Sequence, residues 1–269
     1  MAFTTDPYTG LRLYELSHVW NAEAPSYPGQ ADVAAKRGVK HAQHGVLAWN
    51  FSTSLHTGTH MIAPLYAIQK GMDMASVPLN QLFGNGIVLD VPKGNFELIT
   101  AADLEAAGAR VKEGDFVAIN TGWHHKYSDG LEYYGEAPGL TEDAAQWLVA
   151  KKVALVAVDT PFIDFPLATN MTNHRGGPHM KRLAKSYTDA TGKDPAVEHP
   201  KWNVALKTLS AANIPVVVQA GGDIDDLSGK RATFAATPWK IEKGDASMIR
   251  FVAMTDPDGK VQMDSGKEG

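Results

Sequence analysis

The chain has 269 residues, of which 44% are hydrophobic and 20% charged, with a formal net charge of -5 and no cysteine. That length can bury one sizeable core, and the acidic balance excludes the basic footprint of a nucleic-acid or anionic-membrane binder. Without cysteine there is no disulfide, thiolate metal ligand or cysteine nucleophile, and a reducing cytoplasm is the expected setting.

The first ten residues lack the basic-then-apolar order of an export signal, and no run reaches the roughly 18 apolar residues of a membrane span. Residues 47–53 read as a strand that leads into a histidine-rich turn. Residues 87–91 are apolar and bounded by Asp and Pro, as expected of a buried strand. Thr100 then caps a helix running through Leu104 and Ala107, with Asp103 near its positive end. Residues 116–120 form the next strand. Thr141 caps a second helix, in which Ala144, Ala145, Leu148 and Val149 make an apolar stripe at helical spacing. Residues 153–159 return as a strand.

A polar stretch at 169–198 shows little hydrophobic periodicity and reads as one long loop, of the kind that often carries function. A third helix spans about 203–212 and is broken by Asn213. Residues 214–220 and 248–254 complete the strands, and the Gly-, Lys- and Asp-rich tail 256–269 is expected to fray. Helices alternate with strands in the middle while strands cluster towards the ends. This pattern fits one α/β domain over residues 1–269, a mixed sheet with helices packed on it.

The densest chemistry lies in Ser54-Leu55-His56-Thr57-Gly58-Thr59-His60-Met61-Ile62-Ala63-Pro64-Leu65-Tyr66. His56 and His60 are four apart, but Thr57, Gly58 and Thr59 are poor helix formers, so a turn bringing both imidazoles to one point is the better reading. Neutral imidazole binds Zn, Mn or Fe and moves protons near pH 7. Two histidines merely hydrogen-bonded in a turn remain an open reading, because the bare spacing is a weak pattern.

The segment resembles the H-x-G-T-H-x-D-x-P-x-H signature of the cyclase and kynurenine-formamidase-like (isatin-hydrolase-like) family of metal-dependent hydrolases. Glu15-Leu16-Ser17-His18 with Pro25-Ser26-Tyr27-Pro28-Gly29 is similar to the opening strand and turn of that family. Thr121-Gly122-Trp123, Pro138-Gly139-Leu140-Thr141 and Val158-Asp159-Thr160-Pro161 resemble its central blocks. Gly221-Gly222-Asp223-Ile224-Asp225, Gly229-Lys230-Arg231 and Phe234-Ala235-Ala236 resemble its C-terminal block. The resemblance covers about residues 11–254. It implies a swivelling β/β/α fold, a homodimer or homotetramer, and metal-assisted hydrolysis of a small amide, formamide or lactone.

The departures carry as much information. The aspartate of the signature falls on Ile62 and its last histidine on Tyr66. A further ligand histidine falls on Leu206, and a glutamate on Val218 or, with a one-residue shift, on Gln219. Apolar groups cannot bind a divalent ion, so the two-metal set is dismantled. One Zn or Mn ion on His56, His60 and Gln219 is one outcome, with a metal-bound water attacking a carbonyl. Apolar refilling weighs towards no metal. His60 then acts as general base, with His56 beside it and Tyr66 donating to an oxyanion, in hydrolysis or in a lyase, isomerase or cyclase step. A protein that only binds its small molecule is the third reading.

Trp20, Tyr27, Trp49, Trp123 and Phe162 are candidate pocket walls. His174, Arg175 and His179, in Asn173-His174-Arg175-Gly176-Gly177-Pro178-His179, could clamp a substrate carboxylate or simply form a solvated loop. The neighbours His124 and His125 point to opposite faces if they sit on a strand, so surface exposure is expected. Asp223 and Asp225 are expected to order a turn. No G-x-G-x-x-G or Walker pattern supports a nucleotide cofactor, and no Gly-x-Ser-x-Gly supports a serine hydrolase.

Overall fold

The computed structural model of the chain describes residues 3–169, 180–259 and 261. In chain order the strands are β1 Thr4–Thr5, β2 Arg12–Glu15, β3 Ala34–Val39, β4 Ala48–Ser52, β5 His60–Ile62, β6 Phe83–Asp90 and β7 Leu98–Ile99. They continue with β8 Phe116–Asn120, β9 Gly139–Leu140, β10 Leu155–Val158, β11 Val216–Val218, β12 Arg231–Ala236, β13 Ala246–Met248 and β14 Phe251–Thr255. The helices are α1 His41–His44, α2 Ala101–Ala107, α3 Leu131–Gly135, α4 Glu142–Ala150, α5 Met180–Thr191, α6 Pro195–Glu198 and α7 Val204–Ala211.

Ten strands form one sheet in the order β1-β2-β14-β12-β6-β8-β10-β11-β5-β13. The β6, β8, β10 and β11 strands are mutually parallel, and the flanking pairs are antiparallel. The fold is therefore α/β with a mixed sheet, as the alternation of elements implied. Pleating sorts the side chains. Val117 and Ile119 of β8 join Val156, Val158, Leu104, Leu148 and Leu209 beneath α2, α4 and α7. Phe116 and Ala118 of the same strand join Leu155, Ala157, Phe234 and Phe251 on the opposite face.

That second face is enclosed because the sheet curls back on itself. Ser17 bridges Ala220, and the Gly221 N–H donates to the Leu16 carbonyl at 2.9 Å, tying the end of β2 to the end of β11. Gly221 and Gly222 permit this crossing. A Cβ on Gly222, which has φ +59°, would lie 2.2 Å from the Glu15 carbonyl oxygen.

The caps at Thr100 and Thr141 form as expected, the first as a reciprocal box with Asp103. The stretch 169–198 is not one loop, since α5 and α6 lie within it. Its periodicity is sparse but present: Leu183 and Tyr187, four apart, are both buried, and Tyr187 packs on Phe96 and Phe165. The expected strand 248–254 is two strands that turn at Ile249–Arg250. Within the expected strand 47–53, β4 pairs with β3 as an exposed hairpin outside the main sheet. Of the tail, residues 256–259 and 261 are described and the remainder lies outside the described residues.

Candidate active site

Parallel strands expose their carboxyl ends to one edge of a sheet, where ligands of α/β proteins commonly bind. Here the segment 161–164 after β10 reaches that edge. His60 joins it because β5 runs antiparallel to β11 and pairs His60 with Val218 at the end of that strand.

The turn before His60 is stapled from a distance. Gly58 donates its N–H to the Pro25 carbonyl at 2.9 Å, and Tyr27 donates its own to the His56 carbonyl at 3.0 Å. The Thr57 hydroxyl sits 2.9 Å from that of Ser26 and 3.0 Å from that of Thr53. Gly58 has φ +60°, a left-handed conformation that glycine adopts without strain. Its carbonyl thereby meets His60 Nδ1 at 2.7 Å. That ring donates through Nδ1 and keeps a lone pair on Nε2. Burial, and then the neighbouring His56, push the His60 pKa down to about 3. His60 is accordingly a neutral acceptor throughout the physiological range.

His56 is buried beside it, with ring centroids 5.1 Å apart. Its Nε2 lies 2.9 Å from Oδ2 of Asp245, a residue absent from the sequence expectations. The hydrogen bond to His56 holds the Asp245 carboxyl below its ordinary range, against partial burial. Asp245 precedes β13, where Ala246 pairs with Ile62, so its carboxylate comes in beside position 62. The Tyr66 ring packs 4.7 Å from His56. Burial, followed by the charge of Asp245, raises its phenol pKa, so the hydroxyl remains a donor.

His56, His60, Tyr66, Tyr27, Phe162 and Asp164 line one small cavity, together with Ile62 and Leu206. Its free volume is about 30 Å³, room for a water or two. A wider cleft of about 520 Å³ lies between residues 22–33 and Asp129–Tyr134, and Tyr27 borders both spaces. Asp164 is fully buried and accepts the N–H groups of Ala205 (2.8 Å) and Leu206 (3.0 Å) at the start of α7. Burial pushes its pKa up to about 7 despite those bonds.

Other candidates fall elsewhere. Gln219, at φ +57°, is buried with its Oε1 lacking a hydrogen-bond partner, and it does not border the cavity. The expected third ligand, Gln219, thus lies outside the lining of the cavity that His56 and His60 share. Trp49 is exposed on the hairpin, Trp20 packs against Phe51 at a surface groove, and Trp123 is buried with its indole N–H on the Tyr133 carbonyl. None of these three lines the His56–His60 cavity. Asp223 accepts the Glu15 N–H at 3.0 Å, the structural part expected of it. His174, Arg175 and His179 lie outside the described residues.

His124 and His125 are not on a strand but in a 3-10 turn, Trp123–Lys126, entered through Gly122 with φ +80°. His124 is buried rather than exposed, and both rings approach Asp225.

A sequence model of the putative cyclase family matches residues 14–165, more than half of the chain. The chain belongs to the putative cyclase family. A kynurenine formamidase of Erythrobacter litoralis is 23% identical over 92% of this chain and 95% of its own length. Cyclase-like protein 1 of Oryza sativa subsp. japonica is 30% identical over 57% of this chain and 58% of its own. An isatin hydrolase solved with the product analogue thioisatinate superposes with a TM-score of 0.74 at 20% identity, over 91% of this chain and 92% of that one. A potential metal-dependent hydrolase with cyclase activity gives 0.65 at 21% identity, over 92% of this chain and all of that one. At such identities these structures speak to the fold. The chain is an enzyme of this hydrolase family.

The family raises the question of a divalent ion, and the donors at the turn answer it poorly. By the resemblance, two ligand positions of the signature hold Ile62 and Tyr66, and two further ligand positions fall on Leu206 and on Val218 or Gln219. Ile62, Leu206 and Val218 are buried among apolar neighbours. Asp245 is hydrogen-bonded to His56, and His56, His60 and Asp245 do not gather their donor atoms around one point. Among the described residues, the group of three or more His, Asp or Glu side chains that does so is His124, His125 and Asp225. No helix among the described residues is long and apolar enough to cross a membrane.

Proposed function

We propose that this protein hydrolyses a small, flat, largely apolar amide, a formamide or lactam in particular, with water activated by the His56–Asp245 pair. The observation that carries the reading is the 2.9 Å contact between His56 Nε2 and Asp245 Oδ2 at a cavity with room for a water.

A ring that donates Nε2–H to a carboxylate is fixed in one tautomer, with its lone pair on Nδ1. On accepting a proton from water it becomes an imidazolium that the same carboxylate stabilises, the part played by the acid of a Ser-His-Asp triad. His60 is a weak base, because its pKa lies near 3. Its Nε2 lone pair suits it to orient the water by accepting a hydrogen bond. The base role expected of His60 thus passes to His56. The Tyr66 hydroxyl, kept protonated, donates to the oxygen that becomes negative as the carbonyl is attacked. Tyr27, Phe162, Ile62 and Leu206 supply apolar walls for a planar substrate. The cavity must widen to admit one. The amide class is supported by the kynurenine formamidase and isatin hydrolase relatives.

The test is turnover of aryl formamides, isatin-type lactams and aryl lactones in ¹⁸O-labelled water by wild type and His56→Ala. Label in the product acid and a loss of about 10²-fold or more in His56→Ala are expected. Turnover without label would transfer the site to lyase or isomerase chemistry. Full activity in His56→Ala would remove the assigned base.

A further inference from the structure

Outside the His56–His60 cavity, the described residues bring one group of ligating side chains together. The 3-10 turn Trp123–Lys126, which follows β8, faces the turn Ile224–Leu227, and His124 Nε2 lies 3.4 Å from Asp225 Oδ2 while His125 Nε2 lies 3.0 Å from the same oxygen. The His124 side chain is only 4% exposed, and its Nε2 faces the Asp225 carboxylate at 3.4 Å without the geometry of a good hydrogen bond.

The other nitrogen of the same ring is firmly held. Its Nδ1 lies 3.1 Å from Oδ2 of Asp159, a carboxylate with no exposed surface. Asp159 is itself fixed by the Thr121 hydroxyl at 2.6 Å and the Thr121 N–H at 3.1 Å. A carboxylate behind a histidine fixes the ring's orientation with Nδ1 donating, so that a cation reaching Nε2 has only its proton to displace. Asp225 is aimed in turn, because Asn120 Nδ2 donates to its Oδ1 at 2.8 Å and leaves Oδ2 for the two rings.

We propose that His124, His125 and Asp225 bind one borderline divalent cation, Zn²⁺ in the first instance, through two Nε2 atoms and one carboxylate oxygen. With metal–nitrogen and metal–oxygen bonds of about 2.0–2.2 Å, ligand atoms on a tetrahedral ion stand about 3.3 Å apart. The observed separations of 3.4 and 3.0 Å straddle that figure. All three donor atoms lie within 4.8 Å of one another. The His125 side chain is 66% exposed and that of Asp225 is 50% exposed, so the fourth position opens to solvent. None of these ligands belongs to the histidine signature of the family. The site lies at the end of β8, apart from the cavity that holds His56 and His60.

The experiment is a titration of chelator-treated full-length protein with Co²⁺, followed by visible d–d absorption, then displacement by Zn²⁺ against a chromogenic chelator. It is run on wild type, His125→Ala, Asp225→Ser and His56→Ala, with circular dichroism confirming the fold of each. His125 is mostly exposed, so its replacement tests the site without disturbing the core. The expected result is one ion per chain in wild type and in His56→Ala, with affinity at least 30-fold lower in His125→Ala and in Asp225→Ser. Binding lost in His56→Ala but kept in His125→Ala would put the ion at the other cavity and overturn the proposal. Absence of binding by folded wild type would overturn it as well, leaving an ion-pair network of His124, His125 and the two aspartates. The second result would leave turnover by the His56–Asp245 pair untouched, whereas the first would bring a metal into that pair's own site.

Discussion

Replacing Asp245 by Asn isolates the charge behind His56 while keeping an acceptor for its Nε2–H. Asp245 is hydrogen-bonded to a buried ring at 2.9 Å, but its own side chain is 44% exposed, so water screens much of its field. A hydrogen bond to a charged group contributes roughly 1.5–3 kcal/mol, and exposure places this one towards the low end. At about 1.4 kcal/mol per tenfold, Asp245→Asn is expected to lower kcat about 10-fold and Asp245→Ala, which also frees the tautomer, about 100-fold. Neither change touches the apolar walls, so KM should move less than twofold. The assay is steady-state hydrolysis of the best amide from the substrate panel across pH 5–9. Wild-type kcat in Asp245→Asn would refute the assignment of this pair as the base.

Tyr66→Phe removes the proposed oxyanion donor and should reduce kcat about 10²-fold with KM nearly unchanged; a change confined to KM would make Tyr66 a wall only. Burial depresses His18 to about 4 and His60 to about 3, so the unfolded chain binds more protons below the ordinary imidazole value. Stability from these two groups is complete above about pH 6.5 and is lost as pH falls towards 4. Asp164, raised to about 7, works in the opposite direction, since its protonated form is favoured in the fold. Asp164→Asn should therefore steepen the acid loss in urea melts between pH 7 and 4.5, and parallel profiles would show that Asp164 is ionised throughout. Gly86→Ala would place a Cβ 2.0 Å from the Phe116 carbonyl oxygen across two paired strands. It should cost about 3 kcal/mol, read as a lowered urea midpoint, and an unchanged midpoint would mean that the strands can separate locally.

What could be read in the sequence was what neighbours in the chain decide. Thr100 and Asp103 are three apart and cap their helix with each other, so the signal is self-contained. Buried strands such as β8 and β10 declare themselves by Val and Ile runs. The helix α5 did not, because its apolar face consists largely of Leu183 and Tyr187 among charged and polar residues. The three-residue β5 was hidden inside a Gly-Thr-rich motif that reads as turn. His125 is exposed as expected, and for His124 the misreading began with Gly122. Its positive φ ends the strand and starts a 3-10 turn, and a Thr-Gly step before the pair was the available cue.

The partner of His56 could not be found by any local rule, because Asp245 is 189 residues away and lies in an ordinary Gly-Asp turn. Topology makes the pair. β13 is the outermost strand and pairs Ala246 with Ile62, the position where the family signature carries its aspartate. The carboxylate missing from β5 is thus supplied from the adjacent strand, but with a changed approach. A carboxylate on Ile62 would face the same cavity as His56 and His60, in the manner of a metal ligand. Asp245 instead comes in beside His56 and engages its Nε2–H, the arrangement of an acid–base pair. On the proposed reading, the negative charge is kept next to an imidazole and serves to activate water. The substitution that separates the two uses of the charge is Ile62→Asp. With a second carboxylate aimed between the rings, Zn²⁺ should bind at the cavity in a His125→Ala background. Failure to bind would mean that the backbone of β5 no longer presents position 62 to both histidines.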